Sequence, residues 1–366
     1  MKIVQIIQKP QLRGAEIFAC QLSKELSQRG HSVLIVSLFK GIAELPYQHQ
    51  SLNRSVSRRF YDIRGWKLLS RIITDFEADI VQANAGDTLK YAAISRLLFR
   101  WEATLIFRNA NKISGFIRNN FHKRVNSFFL EQVDFVISVS ENCRQDLIHQ
   151  FPTMADISVT GTIGTYASTE TLRQKLNDVK KIWVNVGSFV PEKNHQFLID
   201  LFASYSVDHG NSELWLIGNG SLRADLELQA SRLQIENQVK FFGYRNDAVS
   251  LIKQADLMVI TSKVEGLPGV ILEALSCGIP VVTTAVGGIP EVIERDKTGI
   301  IIPLDNKEKA LELINRVLSD KRLYSNLVRN GKKMVDQKFL MTDISTHFEK
   351  IYLRILDAKN KNTAHN

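Results

Sequence analysis

Cysteine and long apolar runs are both scarce in this chain, and each shortage excludes a class of protein. Only three cysteines occur among 366 residues, at Cys20, Cys143 and Cys277. Their odd number and scattered positions match neither a disulfide framework nor a metal site, so we expect a reducing compartment. No run approaches the roughly 18 apolar residues of a transmembrane helix. The opening MKIVQIIQKP is too short for a signal peptide, because Pro10 ends its apolar stretch.

Paired aspartates are missing as well. No Asp-x-Asp cluster follows a strand-like segment, so the sequence implies no metal. What remains is the composition of an ordinary soluble protein, with 44% hydrophobic and 23% charged residues. A chain of this length suits two domains better than one.

Strand-like and helix-like segments alternate along the whole chain, which favours parallel sheets with right-handed crossovers. A helix over residues 15–28 is indicated by Phe18, Leu22 and Leu26, which recur at every fourth position. Another helix is predicted to begin after Ser140, which stands where an N-cap belongs. Strands are predicted at 2–7, 33–37, 79–82, 104–107, 133–139, 182–186, 214–217, 239–242, 257–260, 280–283 and 299–302.

A stretch rich in small polar residues, 151–178, interrupts this alternation. We take it as the connection between an N-terminal domain, residues 1–165, and a C-terminal domain, residues 166–344. Three helices are predicted to close the chain, and the last covers residues 345–356.

The most informative segment is SKVEGLPGVILEALSCGIPVV at residues 262–282. It places Glu265 and Glu273 eight positions apart, on either side of a glycine-rich turn between a strand and a helix. Such a turn presents backbone N–H groups above the carboxyl edge of a sheet, where a helix N-terminus favours an anion. Two carboxylates beside an anion site suit a ligand with phosphates and hydroxyls, which describes a nucleotide sugar. The turn consists of Gly266, Leu267, Pro268 and Gly269.

This segment resembles the Glu-x7-Glu motif of the family 4 retaining glycosyltransferases, the group 1 transferases. An N-terminal segment, LRGAEIFACQLSKELSQRGHSV at 12–33, resembles the opening loop and helix of the same family. The resemblance implies the GT-B fold: two Rossmann-like, doubly wound parallel-sheet domains facing a cleft, with helix 345–358 packing back on the N-terminal domain. Four more segments resemble the family: GSFVPEKNH at 187–195, LWLIGNGSLRADLE at 214–227, VKFFGYRND at 239–247 and TTAVGGIPEVI at 283–293.

The resemblance assigns a role to each acid. It implies that Glu273 holds the ribose hydroxyls and that Glu265 contacts hydroxyls of the donor hexose. Breaking the bond between sugar and diphosphate leaves extra negative charge on the leaving phosphate, which cations and N–H donors stabilise. Lys193, at the start of a predicted helix, is the expected cation, and the amides of the 266–269 turn are the expected donors. An ordinary surface position is the competing interpretation for all three side chains.

Several positions depart from the family pattern. Ser188 stands where the family usually carries an arginine in its diphosphate loop, and Arg13 stands beside Gly14 where a glycine is usual. We expect Arg13 either to bring positive charge to the phosphates or to hold an anionic acceptor. Gly218 is expected to pass close to the nucleobase, and a plain loop explains it nearly as well.

Histidine is missing where the family usually carries it in the N-terminal domain. Segments 84–87 and 108–111 read Asn-Ala-Gly-Asp and Arg-Asn-Ala-Asn instead. No base is therefore obvious there, which fits a retaining route in which the leaving phosphate itself takes the acceptor's proton. In the other half of the chain, we expect His195 to pack or cap rather than to catalyse.

Much of the net charge of +9 lies in one segment, residues 96–129. Aromatic and aliphatic side chains are interleaved there with cations, and Glu102 is the one acid between Arg96 and Arg124. Such a mixture suits an anionic membrane surface or an anionic acceptor, and a solvated helix face over core aromatics explains it equally well. No nucleic-acid recognition motif accompanies the charge. The cations are Arg96, Arg100, Arg108, Lys112, Arg118, Lys123 and Arg124.

The sequence therefore predicts a retaining, metal-independent glycosyltransferase without a cofactor, located in the cytoplasm or peripherally on the inner face of the cell membrane. We expect a UDP- or GDP-linked hexose as donor. The acceptor would be a hydroxyl of a glycan or lipid-linked molecule, in cell-surface polysaccharide or glycolipid synthesis, and nucleic acid is not an expected partner. A nucleotide-sugar epimerase, a phosphorylase and an inactive nucleotide-sugar-binding protein are the alternatives.

Overall fold

The computed structural model describes residues 1–41, 43–168 and 180–363. The chain divides into two units: Met1–Ile163 with the C-terminal helix that begins at Met341, and Gly164–Leu340. Each unit holds one parallel sheet, so the α/β class and the two Rossmann-like domains are confirmed. Part of the predicted connection, residues 169–179, lies outside the described residues.

The first unit is built on a seven-stranded sheet with the order β3-β2-β1-β4-β5-β6-β7, in which all neighbours are parallel. The order reverses between β1 and β4, where Ile3 lies opposite Ile80. Loops that leave the carboxyl ends of these two strands run to opposite faces and open a crevice between them. The strands are β1 (Lys2–Ile7), β2 (Ser32–Phe39), β3 (His49–Arg54), β4 (Ile80–Ala83), β5 (Thr104–Asn109), β6 (Phe135–Ser138) and β7 (Ser158–Thr160).

Helices cover both faces of this sheet. Ile7 and Ile35 pack against one helix, α1 (Gly14–Gln28). Ile6 and Val36 point to the opposite face, because successive side chains of a strand alternate, and they join the larger core beneath the other helices. Those helices are α2 (Ile63–Asp75), α3 (Gly86–Phe99), α4 (Asn120–Leu130) and α5 (Glu141–Gln150).

The second unit repeats the plan with six strands in the order β10-β9-β8-β11-β12-β13. Its core surrounds the fully buried Trp183, whose ring lies 5.5 Å from that of Phe202 and 4.8 Å from that of Tyr205. The strands are β8 (Lys181–Val186), β9 (Ser212–Ile217), β10 (Val239–Gly243), β11 (Leu257–Ile260), β12 (Val281–Thr283) and β13 (Ile300–Ile301). The helices are α6 (His195–Asp208), α7 (Arg223–Arg232), α8 (Ala248–Ile252), α9 (Gly269–Ser276), α10 (Lys307–Ser319) and α11 (Lys321–Lys338).

The last helix, α12 (Met341–Thr363), belongs to the first unit. Phe348 packs on Phe18 of α1 with ring centroids 5.4 Å apart. The hydroxyl of Tyr352 donates to Oε1 of Gln82 on β4 at 2.7 Å. This helix begins four residues before the predicted boundary, and it packs on the N-terminal unit.

Most predicted elements agree with the observed ones to within a few residues, and their caps follow from the sequence. The Ser140 hydroxyl accepts the backbone N–H of Cys143 at 3.2 Å and so caps α5. Gly30 follows α1 with φ +88°, a left-handed conformation that favours glycine.

Among the elements of the first unit, β3 and α2 were not predicted. β3 reads HQSLNR, in which Leu52 is the one buried side chain, and its structure depends on pairing with β2 at the sheet edge. α2 has a regular amphipathic pattern that buries Trp66 and Leu69, so a helix there was open to prediction from the sequence.

Replacing the cap of α5 should cost stability without changing the fold. We expect Ser140→Ala to lower the free energy of unfolding by about 1 kcal/mol, because the N–H of Cys143 loses its acceptor. Ser140→Thr should keep most of that energy. Urea denaturation measures both, and an unchanged midpoint for Ser140→Ala would show that the cap contributes nothing.

Candidate functional site

The strand order of the second sheet reverses between β8 and β11, and the predicted residues gather there. The loop 187–194 leaves the carboxyl end of β8, and the loop 261–268 leaves that of β11. In open α/β sheets, ligands bind in the crevice at this point. Lys193 lies on the first loop and Glu265 on the second.

Lys193 and Glu265 form a direct ion pair. The Lys193 ammonium donates to Oε1 of Glu265 at 2.6 Å, and the hydroxyl of Ser262 donates to the same oxygen at 2.7 Å. The Glu265 side chain is 7% exposed and that of Lys193 is 28% exposed. No residue in the described part of the chain donates to the other carboxylate oxygen, Oε2. Oε1 of Glu265 therefore already accepts two hydrogen bonds, and Oε2 is available to a ligand. The Lys193 side chain remains partly exposed to solvent.

Backbone contacts fasten these two loops to each other. The N–H of Lys263 donates to the carbonyl of Glu192 at 2.8 Å. The hydroxyl of Thr261 donates to the carbonyl of Asn194 at 3.0 Å. From the next strand, β12, the Thr284 hydroxyl donates to the carbonyl of Ser262 at 2.7 Å. Lys193 and Glu265 are thus held by one hydrogen-bonded framework.

His195, at the start of α6, is a packing residue. It is 1% exposed, and its ring lies 4.9 Å from that of Phe189. Burial, with a smaller effect of nearby Lys193, lowers the pKa of His195 to about 4, so the ring is neutral at pH 7. Asn185 donates through Nδ2 to the carbonyl of Val259, so its Oδ1 accepts the proton of His195 Nε2 at 3.0 Å. The positive charge at this edge is that of Lys193.

The glycine-rich turn leads into α9 as predicted, with Gly269 as the first helical residue. The first N–H groups of a helix have no acceptor within it, so they face whatever lies beyond the turn. Glu273 lies one turn further along and is half-buried. No described side chain donates to its carboxyl, and burial raises the pKa of Glu273 to about 7. Its partner must therefore come from a ligand or from water.

Glycines bring these loops into contact. Gly218 has φ +141°, and a Cβ there would collide with the carbonyl of Gly187. Gly287 has φ +60°, and a Cβ there would collide with the carbonyl of Glu265. Loop packing thus accounts for Gly218, whose contact with a nucleobase stays a prediction. Ser188 is half-buried on the same loop as Lys193.

Arg13 and Gly14 lie in the first unit, at the carboxyl edge of its own sheet. Arg13 is the exposed N-cap residue of α1 and makes no capping side-chain bond. Gly14 is the first helical residue, and a Cβ there would meet nothing within 4 Å. Their predicted roles toward a ligand stay predictions.

Sequence reasoning missed Ser262 and Thr284, the hydroxyls that hold Glu265 and its loop. A signal for both was available, because Thr261-Ser262 and Thr283-Thr284 each stand at the carboxyl end of a strand in the same sheet. Small hydroxyl residues at such ends commonly carry hydrogen bonds between neighbouring loops.

Only part of the basic and aromatic stretch 96–129 is surface. Arg96 is paired with Asp134 at 2.8 Å, Arg108 is 1% exposed, and Lys123 lies over the ring of Phe151 at 5.8 Å. The exposed basic and hydrophobic residues are Leu97, Leu98 and Arg100 around the end of α3, and a patch that we call the α4 face. Its members are Phe116 (49% exposed), Arg118, Phe121 (75% exposed), Arg124 and Phe128 (49% exposed).

A second patch of the same kind lies on α2 and the turn before it, and the sequence analysis did not find it. Of the two acids in this segment, Asp62 is buried and paired with Arg54 at 2.6 Å, and Asp75 is exposed at the end of α2. Both α2 and α4 pack on the same side of the sheet. No helix in the described ranges is both long and apolar enough to cross a membrane. The α2 face comprises Phe60, Tyr61, Ile63, Arg64, Lys67 and Arg71, all of them exposed.

Two models of protein families match the chain and together span most of it. The Glycosyltransferase Family 4 model matches residues 12–160, and the Glycosyl transferases group 1 model matches residues 168–334. The chain belongs to the family 4, group 1 glycosyltransferases. The group 1 match contains Lys193, Glu265 and Glu273.

Similar proteins support this assignment to the group 1 glycosyltransferases. The N-acetyl-alpha-D-glucosaminyl L-malate synthase of Bacillus anthracis is 24% identical, over 96% of this chain and 97% of its own. A Campylobacter jejuni N-acetylgalactosaminyltransferase, whose name gives a diphospho-undecaprenol substrate, is 25% identical over 69% of this chain and 72% of its own. The solved structure of Anabaena HepE with UDP-glucose superposes with a TM-score of 0.80 at 22% identity, covering 96% of this chain and 99% of HepE. The last likeness shows that the fold is GT-B.

Glu273 should make the ligand-free transferase less stable at higher pH. Its pKa is about 7 in the folded state, against an ordinary value of 4.5. Its stabilising contribution is therefore complete below about pH 4.5 and is lost as the pH rises through 7. We expect Glu273→Gln to be more stable than wild type at pH 8 by about 1–2 kcal/mol, with allowance for partial exposure, and to differ less at pH 5.

Thermal denaturation at both pH values measures this difference. Glu236→Gln, which alters an exposed acid of the same unit, is the matched control and should change little at either pH. Equal stability of Glu273→Gln and wild type at pH 8 would contradict the inferred burial of the carboxylate.

Proposed function

We propose that this glycosyltransferase retains anomeric configuration while moving a hexose from a UDP- or GDP-sugar to a hydroxyl of a glycan or lipid-linked acceptor. The setting would be cell-surface polysaccharide or glycolipid synthesis. The observation that carries the proposal is the arrangement at the switch point of the second sheet. Three charged side chains surround the N-terminus of α9. Lys193 supplies a cation, Glu265 a carboxylate with one free oxygen, and Glu273 a carboxylate without a partner among the described residues.

The ion pair explains how the site changes when a donor binds. A diphosphate competes with Glu265 for the Lys193 ammonium, and its charge is larger than that of one carboxylate. Once Lys193 turns to the phosphate, Glu265 can accept hydroxyls of the sugar while Ser262 still holds its Oε1. The negative charge on the leaving phosphate grows toward the transition state, so Lys193 and the α9 amides stabilise that state more than the bound donor.

Glu273 suits the ribose. Its carboxyl has no donor among the described residues, and the two ribose hydroxyls are neutral donors. Accepting both hydrogen bonds favours the ionised form, so binding should lower a pKa that burial has raised. The proposed donor needs no metal, because Lys193 and the helix N-terminus supply the positive charge.

Transfer requires a base that accepts the proton of the acceptor hydroxyl. No histidine stands in segments 84–87 and 108–111, and His195 is buried and neutral. We propose that the leaving phosphate accepts the proton, since the Glu265 carboxylate is occupied by hydroxyls of the donor sugar. This geometry favours attack from the same side as the departing phosphate, which gives retention.

A thermal-shift screen against UDP, GDP and their sugars tests the donor class first. Ligands that bind the folded state alone raise the melting temperature by mass action. The donor that gives the largest shift is then incubated with protein and candidate glycans, and the anomeric configuration of the product is read by NMR. No shift with any nucleotide sugar, or an inverted product, would overturn the proposal.

Removing the cation should slow transfer strongly. We expect Lys193→Ala to reduce turnover by about 10²-fold or more, the scale of losing one preorganised transition-state contact. Lys263→Ala, two residues before Glu265 with an exposed side chain, is the matched control and should stay near wild type. Steady-state kinetics with the donor from the screen gives both numbers. Near-normal turnover of Lys193→Ala would remove Lys193 from the phosphate site.

Substitutions of Glu273 and Glu265 should have different effects, one on nucleotide binding and the other on sugar transfer. We expect Glu273→Ala to weaken UDP or GDP binding by about tenfold or more, because a charged acceptor of ribose hydroxyls is lost. Glu265→Gln should not weaken free-nucleotide affinity, because Lys193 loses the carboxylate that competes with the diphosphate, and it should reduce transfer. Calorimetric titration and turnover together measure the split, and equal loss of nucleotide affinity in both variants would show that the roles are not divided.

We also propose that the first unit docks peripherally on the anionic inner face of the cell membrane. The α2 and α4 faces each expose aromatic rings beside unpaired cations, and both helices begin at the carboxyl edge of the sheet on the same side. This mixture suits a membrane surface, because aromatic rings can bury in the headgroup region and cations can pair with anionic lipids. A lipid-linked acceptor would be presented at such a surface.

Charge reversal on either face should weaken binding to anionic vesicles. We expect Arg118→Glu with Arg124→Glu, or Arg64→Glu with Lys67→Glu and Arg71→Glu, to reduce affinity by about 10²-fold at low salt. Raising the salt should weaken the wild type, because exposed charges are screened over about 8–10 Å. Arg322→Glu with Arg329→Glu and Lys333→Glu, all exposed in the second unit, is the control. Wild-type protein that does not sediment with anionic vesicles would refute membrane docking.

A further inference from the structure

Arg108 is a buried cation without a partner among the residues that the structure describes. It lies near the carboxyl end of β5 and is 1% exposed. Its guanidinium carbon sits 4.0 Å from the ring centre of Phe18 on α1. No residue in the described ranges forms a hydrogen bond or ion pair with it, and its Nε is buried with no acceptor.

The polar residues around Arg108 satisfy one another instead. Gln82 and Asn84 both donate to Oε1 of Gln5, at 3.0 and 2.9 Å. Tyr352 donates to Gln82 at 2.7 Å. All four are buried, and none of them is an acid. Burial lowers the pKa of Arg108 to about 10, so the guanidinium stays charged at pH 7.

Such a residue is costly to keep. Buried charges in proteins are normally paired, and an apolar side chain of similar size in place of an unpaired charge generally stabilises the fold. The stacking on Phe18 offsets only part of that cost. Natural proteins tolerate such costs mainly where function needs the charge.

The place of Arg108 in the sheet points to a ligand. The order of the first sheet reverses between β1 and β4, and β5 lies next to β4. Ala83 pairs with Phe107, so Arg108 is level with Asn84, the residue that follows β4. Phe18 leans toward the N-terminus of α1, as helical side chains do, which brings the guanidinium level with the first turns of that helix. That turn already carries one acid, Glu16, which is buried and accepts a hydrogen bond from Gln11 at 2.8 Å. The N–H groups of the turn that remain free favour a second anion beside the cation of Arg108.

We propose that Arg108 binds an oxyanion of the acceptor, either a carboxylate or a phosphate, together with the first turn of α1. The proposal rests on the proposed transferase function. The donor phosphates have their own cation in Lys193 on the second unit, so the charge of Arg108 is left for the other substrate. Arg108 would thus select acceptors that carry negative charge.

Two probes test the site without knowledge of the acceptor: inorganic phosphate for a phosphate-bearing acceptor and malonate for a carboxylate-bearing one. Each is titrated at constant ionic strength, and the melting temperature is measured. We expect a saturable rise in the wild type with at least one probe. On a Lys193→Ala background, which removes the cation of the proposed donor site, the rise should be retained. It should be absent once Arg108→Met is added and unaffected by Arg100→Gln, which changes an exposed arginine of the same unit. The probe with the larger effect identifies the oxyanion.

Stability separates this role from a structural one. Removing an unpaired buried cation should leave the ligand-free melting temperature of Arg108→Met equal to or above that of the wild type. An arginine kept for packing predicts a clear decrease. Arg108→Lys, which keeps a charge in place, should recover part of the response to the probe.

Three results would overturn the assignment. The first is a wild type that responds to neither probe, and the second is a response that survives when Arg108→Met is combined with Lys193→Ala. The third is a loss of UDP or GDP affinity in Arg108→Met, which would show that the guanidinium serves the donor. If no nucleotide binds wild type while the probe response still depends on Arg108, the oxyanion site stands and the proposed donor function fails.

Discussion

The contact between the Lys193 ammonium and the Glu265 carboxylate ties the candidate site together. It joins the loops after β8 and β11, the two strands at which the order of the second sheet reverses. Ser262 fixes one oxygen of the carboxylate, and backbone bonds fasten one loop to the other. The pair neutralises itself before a ligand arrives, so the site needs no counterion of its own. In the proposed function, a diphosphate that binds the Lys193 ammonium also releases the Glu265 carboxylate to bind a sugar.

Buried ionisable side chains without partners lower the free energy of unfolding, and two of them stand at candidate ligand sites. Among the described residues, neither the half-buried carboxyl of Glu273 nor the buried guanidinium of Arg108 has a partner. Other parts of the described chain agree with the fold through caps, alternating strand faces and paired acids such as Asp62. Glu273 and Arg108 lie in different units, each at the carboxyl edge of a sheet, where open α/β proteins bind ligands.

Much of the fold was predictable because apolar strands and helical periods alternate and because Ser140 is a strong cap. The Glu265–Glu273 segment was also predictable, since its glycines and acids are close in sequence. The contact of Lys193 with Glu265 was not, because residues 72 positions apart meet only once β8 lies beside β11. The sequence does not distinguish the cations of residues 96–129 from one another. Their exposure depends on the element that carries them, because β5 buries Arg108 and α4 exposes Arg124.

A crystal structure of the protein with UDP or GDP, whichever binds, tests the central claim most directly. We expect the Lys193 ammonium to leave Glu265 and lie within hydrogen-bond distance of a phosphate oxygen. The ribose hydroxyls should donate to Glu273, and the hydrogen bond from Ser262 to Glu265 should persist. A nucleotide bound away from α9, or one that leaves the ion pair of Lys193 and Glu265 intact, would contradict the account.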